Sequence, residues 1–294
     1  MTDKNRVILP PDPNPNALKF KLPALTCDTH FHIYGPPHRF PFVDERKYTP
    51  PAAPIEHYWA LMKHLGIERG VLVHPAVHGA DNFVTLDALR RSEGRLRGMV
   101  RASAALEDFD LKQLHEAGVR GVRFALVEEA NGTFDKAEFD LIVNRVAKFG
   151  WPVCLHVDGD RIAPIADHLR RAPVNIIFDH FARVDARKGV AGEEFRVLLD
   201  LMGEKNIWCK ISGIDRLMQR GAHYEDAAPL ARALVARAPD RITWGLDWPH
   251  SNVFKLGRMA NDGDLVNALL DLVPDESARH KVLVDNPARL FDFR

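Results

Sequence analysis

Two histidines separated by one residue, His30 and His32, fall in the stretch Cys-Asp-Thr-His-Phe-His-Ile-Tyr at Cys27–Tyr34. In an extended chain the side-chain period is two, so both rings point the same way. Two imidazoles on one side of a strand end suit a metal ion or a polarised substrate oxygen. A pair of hydrogen-bonded surface histidines fits the same spacing. Three further apolar runs close on comparable groups: His156, Asp179-His180, and Asp247 in Gly245-Leu246-Asp247-Trp248-Pro249-His250. The recurrence points to several strand ends converging on one site.

The elements that would position these groups follow from hydrophobic periodicity. Residues 1–24 carry Pro10, Pro11, Pro13, Pro15 and Pro23, which remove backbone donors and fix φ, and read as an extended arm. Residues 25–294 read as one domain. Strands are expected at Thr26–Ile33, Gly70–His74, Leu96–Ala102, Val119–Phe124, Pro152–Val157, Val174–Phe178, Ile207–Ile211 and Ile242–Leu246. Amphipathic helices lie between them, the first at Ile55–Leu65 with a stop at Gly66, and one at Ile162–Arg171. Asn286 is placed to cap a last helix with Pro287 at its first position.

Short, nearly continuous apolar runs between amphipathic helices indicate a parallel sheet buried on both faces. Eight such units fit a closed (β/α)8 TIM barrel better than an open doubly wound sheet. No Gly-x-Gly-x-x-Gly follows the first strand and no phosphate-binding loop is present. In a barrel, catalytic groups come from the C-terminal ends of different strands, where His30, His32, His156, His180 and Asp247 all stand. The loop at Gly35–Pro54, with Tyr48 beside Arg46 and Lys47, is long for a connection and is expected to serve the site.

Composition narrows the function classes. The chain has 294 residues, 46% of them apolar, with no run near the roughly 18 apolar residues of a membrane helix. Forty acidic and forty basic side chains cancel, which leaves no overall charge footprint for nucleic acid or an anionic membrane. Cys27, Cys154 and Cys209 are widely spaced inside apolar runs and are expected to be buried free thiols. The amino-terminal stretch has no signal-peptide core, so the expected location is the cytoplasm.

Taken with Asp-His-Phe-Ala-Arg-Val-Asp after strand six, Lys-Ile-Ser-Gly-Ile-Asp-Arg after strand seven and the ending Val-Asp-Asn-Pro-Ala-Arg-Leu, the His-x-His and Asp-Trp-Pro-His motifs resemble the amidohydrolase superfamily. The narrower likeness is to the branch of pyrone-dicarboxylate and sugar-lactone hydrolases, from about Leu25 to Phe291. That resemblance implies hydrolysis of a lactone. Asp247 would take a proton from water and pass it to the leaving oxygen, while His180 with His30 or His32 stabilises the oxyanion. Arg123, Arg216, Tyr48 and His250 match positions that contact the acidic substrate in the branch. Structural ion pairs are the competing role for the two arginines.

The chain departs from the pyrone branch twice. After strand four it has Val127-Glu128-Glu129 where the branch carries a second arginine, a change that disfavours a dicarboxylate. His156 restores a ligand typical of metal-binding amidohydrolases. The resemblance therefore allows either no metal or one Zn²⁺ on His30, His32, His156 and Asp247. No lysine ends strand four to bridge a second ion. Competing readings are a metal-dependent decarboxylase, a lactone isomerase, and a barrel that binds sugar acids without turnover. The expected partner is a small lactone or carboxylate, and the oligomeric state is left open.

Overall fold

The computed structural model describes residues 6–127, 132–219, 223–251, 253–255 and 257–293; Glu128 and Glu129 lie outside the described residues. Eight parallel strands pair in chain order: β1 (Cys27–Phe31), β2 (Arg69–Val73), β3 (Leu96–Arg101), β4 (Val119–Ala125), β5 (Val153–His156), β6 (Ile176–Phe178), β7 (Ile207–Lys210) and β8 (Ile242–Thr243). Across the remaining seam, Thr29 N donates to Trp244 O at 2.9 Å, Asp247 N to His30 O at 2.7 Å and His32 N to Trp248 O at 2.7 Å. The sheet thus closes as the expected (β/α)8 barrel.

The intervening helices are α1 (Ile55–Leu65), α2 (Phe83–Arg90), α3 (Asp108–Glu116), α4 (Lys136–Ala147), α5 (Ala166–Arg170), α6 (Glu193–Leu201), α7 (Ile214–Gln219) and α8 (Tyr224–Arg237). Four short ones follow: α9 (Asp262–Asn267), α10 (Leu269–Leu272), α11 (Glu276–His280) and α12 (Asn286–Leu290). Helix α1 ends where the sequence predicts, with Gly66 left-handed at φ 79°. No described helix is long and apolar enough to cross a membrane.

Three local expectations are corrected. The run to Leu246 is regular strand only at Ile242–Thr243: Trp244 O and Asp247 N still bond to β1, but between them the buried Asp28 carboxylate accepts from Leu246 N at 3.0 Å and from His30 N at 2.9 Å. A side chain has replaced the ladder there. The helix expected at Ile162–Arg171 divides into a 3₁₀ turn, Ala163–Ile165, with Pro164 in its first turn, and α5. Asn286 does not cap α12; a π turn at Lys281–Asp285 runs directly into that helix. The Asn286 amide instead donates to Pro239 O and Ile242 O at 2.9 and 2.8 Å, tying the last helix to the foot of β8.

Two apolar cores result. The larger lies between the sheet and the helices. The smaller collects Cys27, Val71, Val73, Met99, Cys154, Ile177 and Trp208 with Leu290, Phe291 and Phe293 from the carboxyl end, and contains no residue of α1–α8. It is therefore the filling of the barrel. The period of two then dictates what stands one layer higher. Above Cys154 comes His156, above Ile177 comes Asp179, and above Trp208 comes Lys210. All three cysteines are buried and unpaired by disulfides.

Residues 6–24 add no regular element; the first of them meet the loops after β1 and β8, and the last lead into the foot of β1. Ile8 N donates to Thr49 O at 3.2 Å, Leu9 N to Val253 O at 2.8 Å, and Lys19 N to Asn267 Oδ1 at 2.7 Å.

Candidate active site

The polar layer above the barrel filling is held by charge. Asp179 is fully buried; Arg123 Nε donates to its Oδ2 at 2.7 Å and Lys210 Nζ lies 3.1 Å from its Oδ1. Burial by itself would raise this carboxyl, but Lys210, His30 and Arg123 hold it well below the usual carboxylate range. The sequence marks Asp179 only as the neighbour of His180 at a strand end, and gives Lys210 no role. A lysine inside the apolar run Ile-Trp-Cys-Lys-Ile was the available signal, since a charge in a doubly buried strand needs a partner.

The Nδ1 contacts sort the three central histidines. His32 Nδ1 sits 2.8 Å from Val73 O, and a carbonyl only accepts, so this nitrogen carries the proton. A neutral His32 therefore presents a bare Nε2. His30 Nδ1 is 3.2 Å from Asp179 Oδ1 and 3.4 Å from Lys210 Nζ. Lys210 has its shorter contact to the carboxylate, and a bare Nδ1 would face that anion, so Nδ1–H donates to Asp179. Burial keeps His30 neutral, with its pKa well below the ordinary value. His180 is different. Its Nδ1 meets Ser212 Oγ at 2.9 Å, a hydroxyl that can donate or accept, so its Nε2 can serve either as N–H or as a lone pair. Burial pushes the His180 pKa down to about 3.

Asp247 is the point these rings share. Its Oδ1 lies 3.2 Å from His32 Nε2 and 3.5 Å from His30 Nε2, and His180 Nε2 is 3.9 Å from Oδ2. Arg216 grips Oδ2 through both Nε and NH2. Burial would raise this carboxyl, but the Arg216 guanidinium holds it well below the usual range, so it is an anion. Oδ1 is buried without a well-aligned donor, and so is His30 Nε2. Among the described residues, His30, His180 and Asp247 form a group whose ligand atoms lie within 4.8 Å of one another. Two orphaned buried acceptors beside an adjustable imidazole are a donor set that fits one zinc-type ion.

Local backbone conformation makes these positions specific. His180, Phe181, Ala182 and Arg183 all have φ between 52° and 55°, four consecutive left-handed residues without a glycine. The turn brings His180 to the barrel mouth, and Gly213, at φ 66°, lets the segment after β7 pass close to the ring. A Cβ on Gly213 would stand 2.6 Å from His180 Nδ1. Gly245 makes a second close approach: a Cβ there would be 2.7 Å from His30 N. Asp247 itself has φ 63°.

The remaining expected residues are spread around this centre. His156 ends β5 with its ring centroid 5.7 Å from that of His180, and its Nε2 has no partner, but it does not join the group at 4.8 Å. His32 does not join it either. Tyr48, half-buried in the long first loop, places its hydroxyl 3.1 Å from Tyr34 OH. Tyr34 N and Ala53 N exchange hydrogen bonds with each other's carbonyls and close the base of that loop. His250 is fully buried: its Nε2 is 3.1 Å from Asp262 Oδ1 and its Nδ1 is 3.8 Å from Asp215 Oδ2. Burial would lower its pKa, yet Asp262 and Asp215 lift it to about 9. His74 and His78 are buried against Gly79 O and Pro41 O and brace the loops after β1 and β2.

A parallel barrel with histidines and one aspartate gathered at the C-terminal strand ends is the architecture of a (β/α)8 hydrolase. A family model described as Amidohydrolase matches residues 27–293, and the chain belongs to that family. It is 46% identical to a 4-sulfomuconolactone hydrolase of Hydrogenophaga intermedia, across 96% of this chain and 94% of that one. It is 40% identical to a 2-pyrone-4,6-dicarboxylate hydrolase of Comamonas testosteroni, across 95% and 93%. A crystal structure from Agrobacterium tumefaciens superposes with a TM-score of 0.83 at 31% identity, covering 95% of this chain and 99% of that one.

Proposed function

We propose that this enzyme opens the ring of a small anionic lactone, of the muconolactone or pyrone-carboxylate type, by adding water to its carbonyl. The observation that carries the reading is the buried Asp247 carboxylate, anionic, with Oδ2 fixed by Arg216 and Oδ1 open among imidazoles. Relatives at 40% and 46% identity are named as hydrolases of such lactones, which supports the same chemistry here.

Asp247 Oδ1 takes a proton from water as the water oxygen bonds to the lactone carbonyl carbon. His180, with Nδ1 accepting from Ser212, presents Nε2–H to the oxygen that gains charge. Collapse of the tetrahedral adduct breaks the ring C–O bond, and Asp247 returns its proton to the departing alkoxide. The products are a hydroxyl and a carboxylic acid on one open chain, and the acid releases its proton to solvent as it ionises. Zinc, where bound by His30, His180 and Asp247, would polarise the carbonyl and lower the pKa of water. Arg123, at the end of β4, largely buried and paired through Nε with Asp179, would turn its remaining N–H groups to the substrate's acidic group.

A panel of muconolactones, pyrone carboxylates and sugar-acid lactones, followed by acid release with and without a chelator, tests the reading. Ring opening is expected for the lactones that carry an anionic group, without release of carbon dioxide. Arg123→Met should raise KM for those substrates about 10- to 150-fold, the worth of a charge-assisted contact. Binding without turnover, or carbon dioxide as product, would replace lactone hydrolysis by one of the competing chemistries.

A further inference from the structure

The branch resemblance gives Arg216 to the substrate, but the fold has already committed it. Its Nε and NH2 both contact Asp247 Oδ2, NH1 donates to Ser251 O at 3.2 Å, and NH2 donates to Ser251 Oγ at 2.9 Å. A guanidinium has five N–H groups in a rigid fork, and these contacts engage its Nε edge and both terminal nitrogens. The side chain is buried, with 9% of its surface accessible, so a bidentate approach by a second carboxylate would have to break the first. The segment it grips is the one that carries the proposed base. Asp247 and Ser251 belong to a single turn after β8, in which His250 N also donates to Asp247 O at 2.9 Å. Arg216 itself rides on α7, directly after β7. It therefore spans two neighbouring strand ends and fixes the rotation of the Asp247 carboxylate.

We propose that Arg216 is a positioning residue for Asp247 rather than a ligand of the substrate anion. Its fork occupies Oδ2 and so reserves Oδ1, the oxygen beside His30 and His32, for the water proton. The assignment rests on Asp247 being the base of lactone opening. It makes a claim that substrate binding does not: losing the fork must slow proton transfer for every substrate, whatever the substrate's charge.

The test is Arg216→Met and Arg216→Lys, assayed on an anionic lactone and on an uncharged lactone of similar ring size, with thermal unfolding as a control for folding. Positioning predicts a kcat loss on the order of 10²-fold on both substrates with KM within a few-fold of wild type. Lysine keeps the charge but has no fork, so Arg216→Lys should recover little of kcat. A substrate ligand would behave in the opposite way: KM would rise on the anionic lactone alone, kcat would persist, and lysine would restore much of the binding. That pattern overturns the assignment while leaving lactone hydrolysis intact. A wild-type enzyme that opens no lactone overturns the functional reading instead. If the anionic lactone is the sole substrate turned over, the kcat and KM split on it decides alone. If both Arg216 variants fail to fold, Ser251→Ala removes one acceptor of the fork at constant charge. It should then lower kcat roughly 2- to 10-fold, the worth of one hydrogen bond, without raising KM. An unchanged kcat in that variant counts against the proposal.

Discussion

Gly213→Ala should disable the enzyme by moving one ring. Gly213 has φ 66°, where an alanine costs about 1–2 kcal/mol of backbone strain. The added Cβ would lie 2.6 Å from His180 Nδ1, 2.9 Å from Cγ and 3.2 Å from Cβ, so the imidazole must retreat by most of an ångström. It cannot retreat without loosening its 2.9 Å contact with Ser212 Oγ or closing on the His30 ring, whose centroid is 4.5 Å away. A misplacement of about 1 Å at a reacting group costs on the order of 10²-fold in rate. Gly66→Ala is the matched control. Gly66 is also left-handed, at φ 79°, but a Cβ there meets nothing within 4 Å. Both variants should lose comparable stability by backbone strain, a few degrees in Tm. Gly213→Ala alone should lose about two decades of kcat on a lactone substrate. If Gly213→Ala keeps kcat within threefold of the Gly66→Ala value, His180 is not held where the mechanism needs it.

Other expectations follow from the same geometry. Asp247→Asn should lose on the order of 10²-fold or more in kcat while retaining its fold, because the amide cannot take the water proton; a near-normal rate in a folded sample excludes Asp247 as the base. If zinc binds, His180→Ala should lower its affinity roughly 10- to 100-fold and His156→Phe should leave it within a few-fold, since His180 and not His156 shares the 4.8 Å group. Elemental analysis after exposure to zinc would show it, and the reverse order would put the ion nearer β5. His250 has its pKa raised from 6.5 to about 9, so its stabilisation is full below pH 6.5 and is lost as the pH climbs through 9. The shift is worth about 3 kcal/mol at most. Tm should fall between pH 6.5 and 9.5 in the wild type and much less in His250→Gln; equal slopes would show that His250 is not the group responsible.

The barrel was legible because a doubly buried parallel strand has almost no choice of residues. Each apolar run in the sequence became a strand, and the histidine or aspartate after it reached the same end of the barrel. What the sequence hid was mostly partnership. For Arg216 the sequence leaves both a substrate contact and an ion pair open, because nothing in the chain announces that Ser251 and Asp247 will flank it. Lys210 and Asp179 are far apart in sequence and meet because β6 and β7 are neighbours one layer above Ile177 and Trp208. His250 stands beside Asp247 in the chain, yet the turn carries its ring away to Asp262. The shortness of β8 was equally invisible, since it depends on the Asp28 side chain doing what a backbone carbonyl does elsewhere in the sheet.

The left-handed turn at His180–Arg183 sets stability against precision. In most folds a glycine replacing alanine loosens the chain and weakens it. At Ala182, with φ 52°, glycine would relieve backbone strain of roughly 1 kcal/mol or more, so the usual sign of that exchange reverses. The same relief would widen the range of angles open to the segment that aims His180. A lineage selected for heat tolerance alone would drift toward glycine in this turn, and one selected for turnover would keep the strained residues.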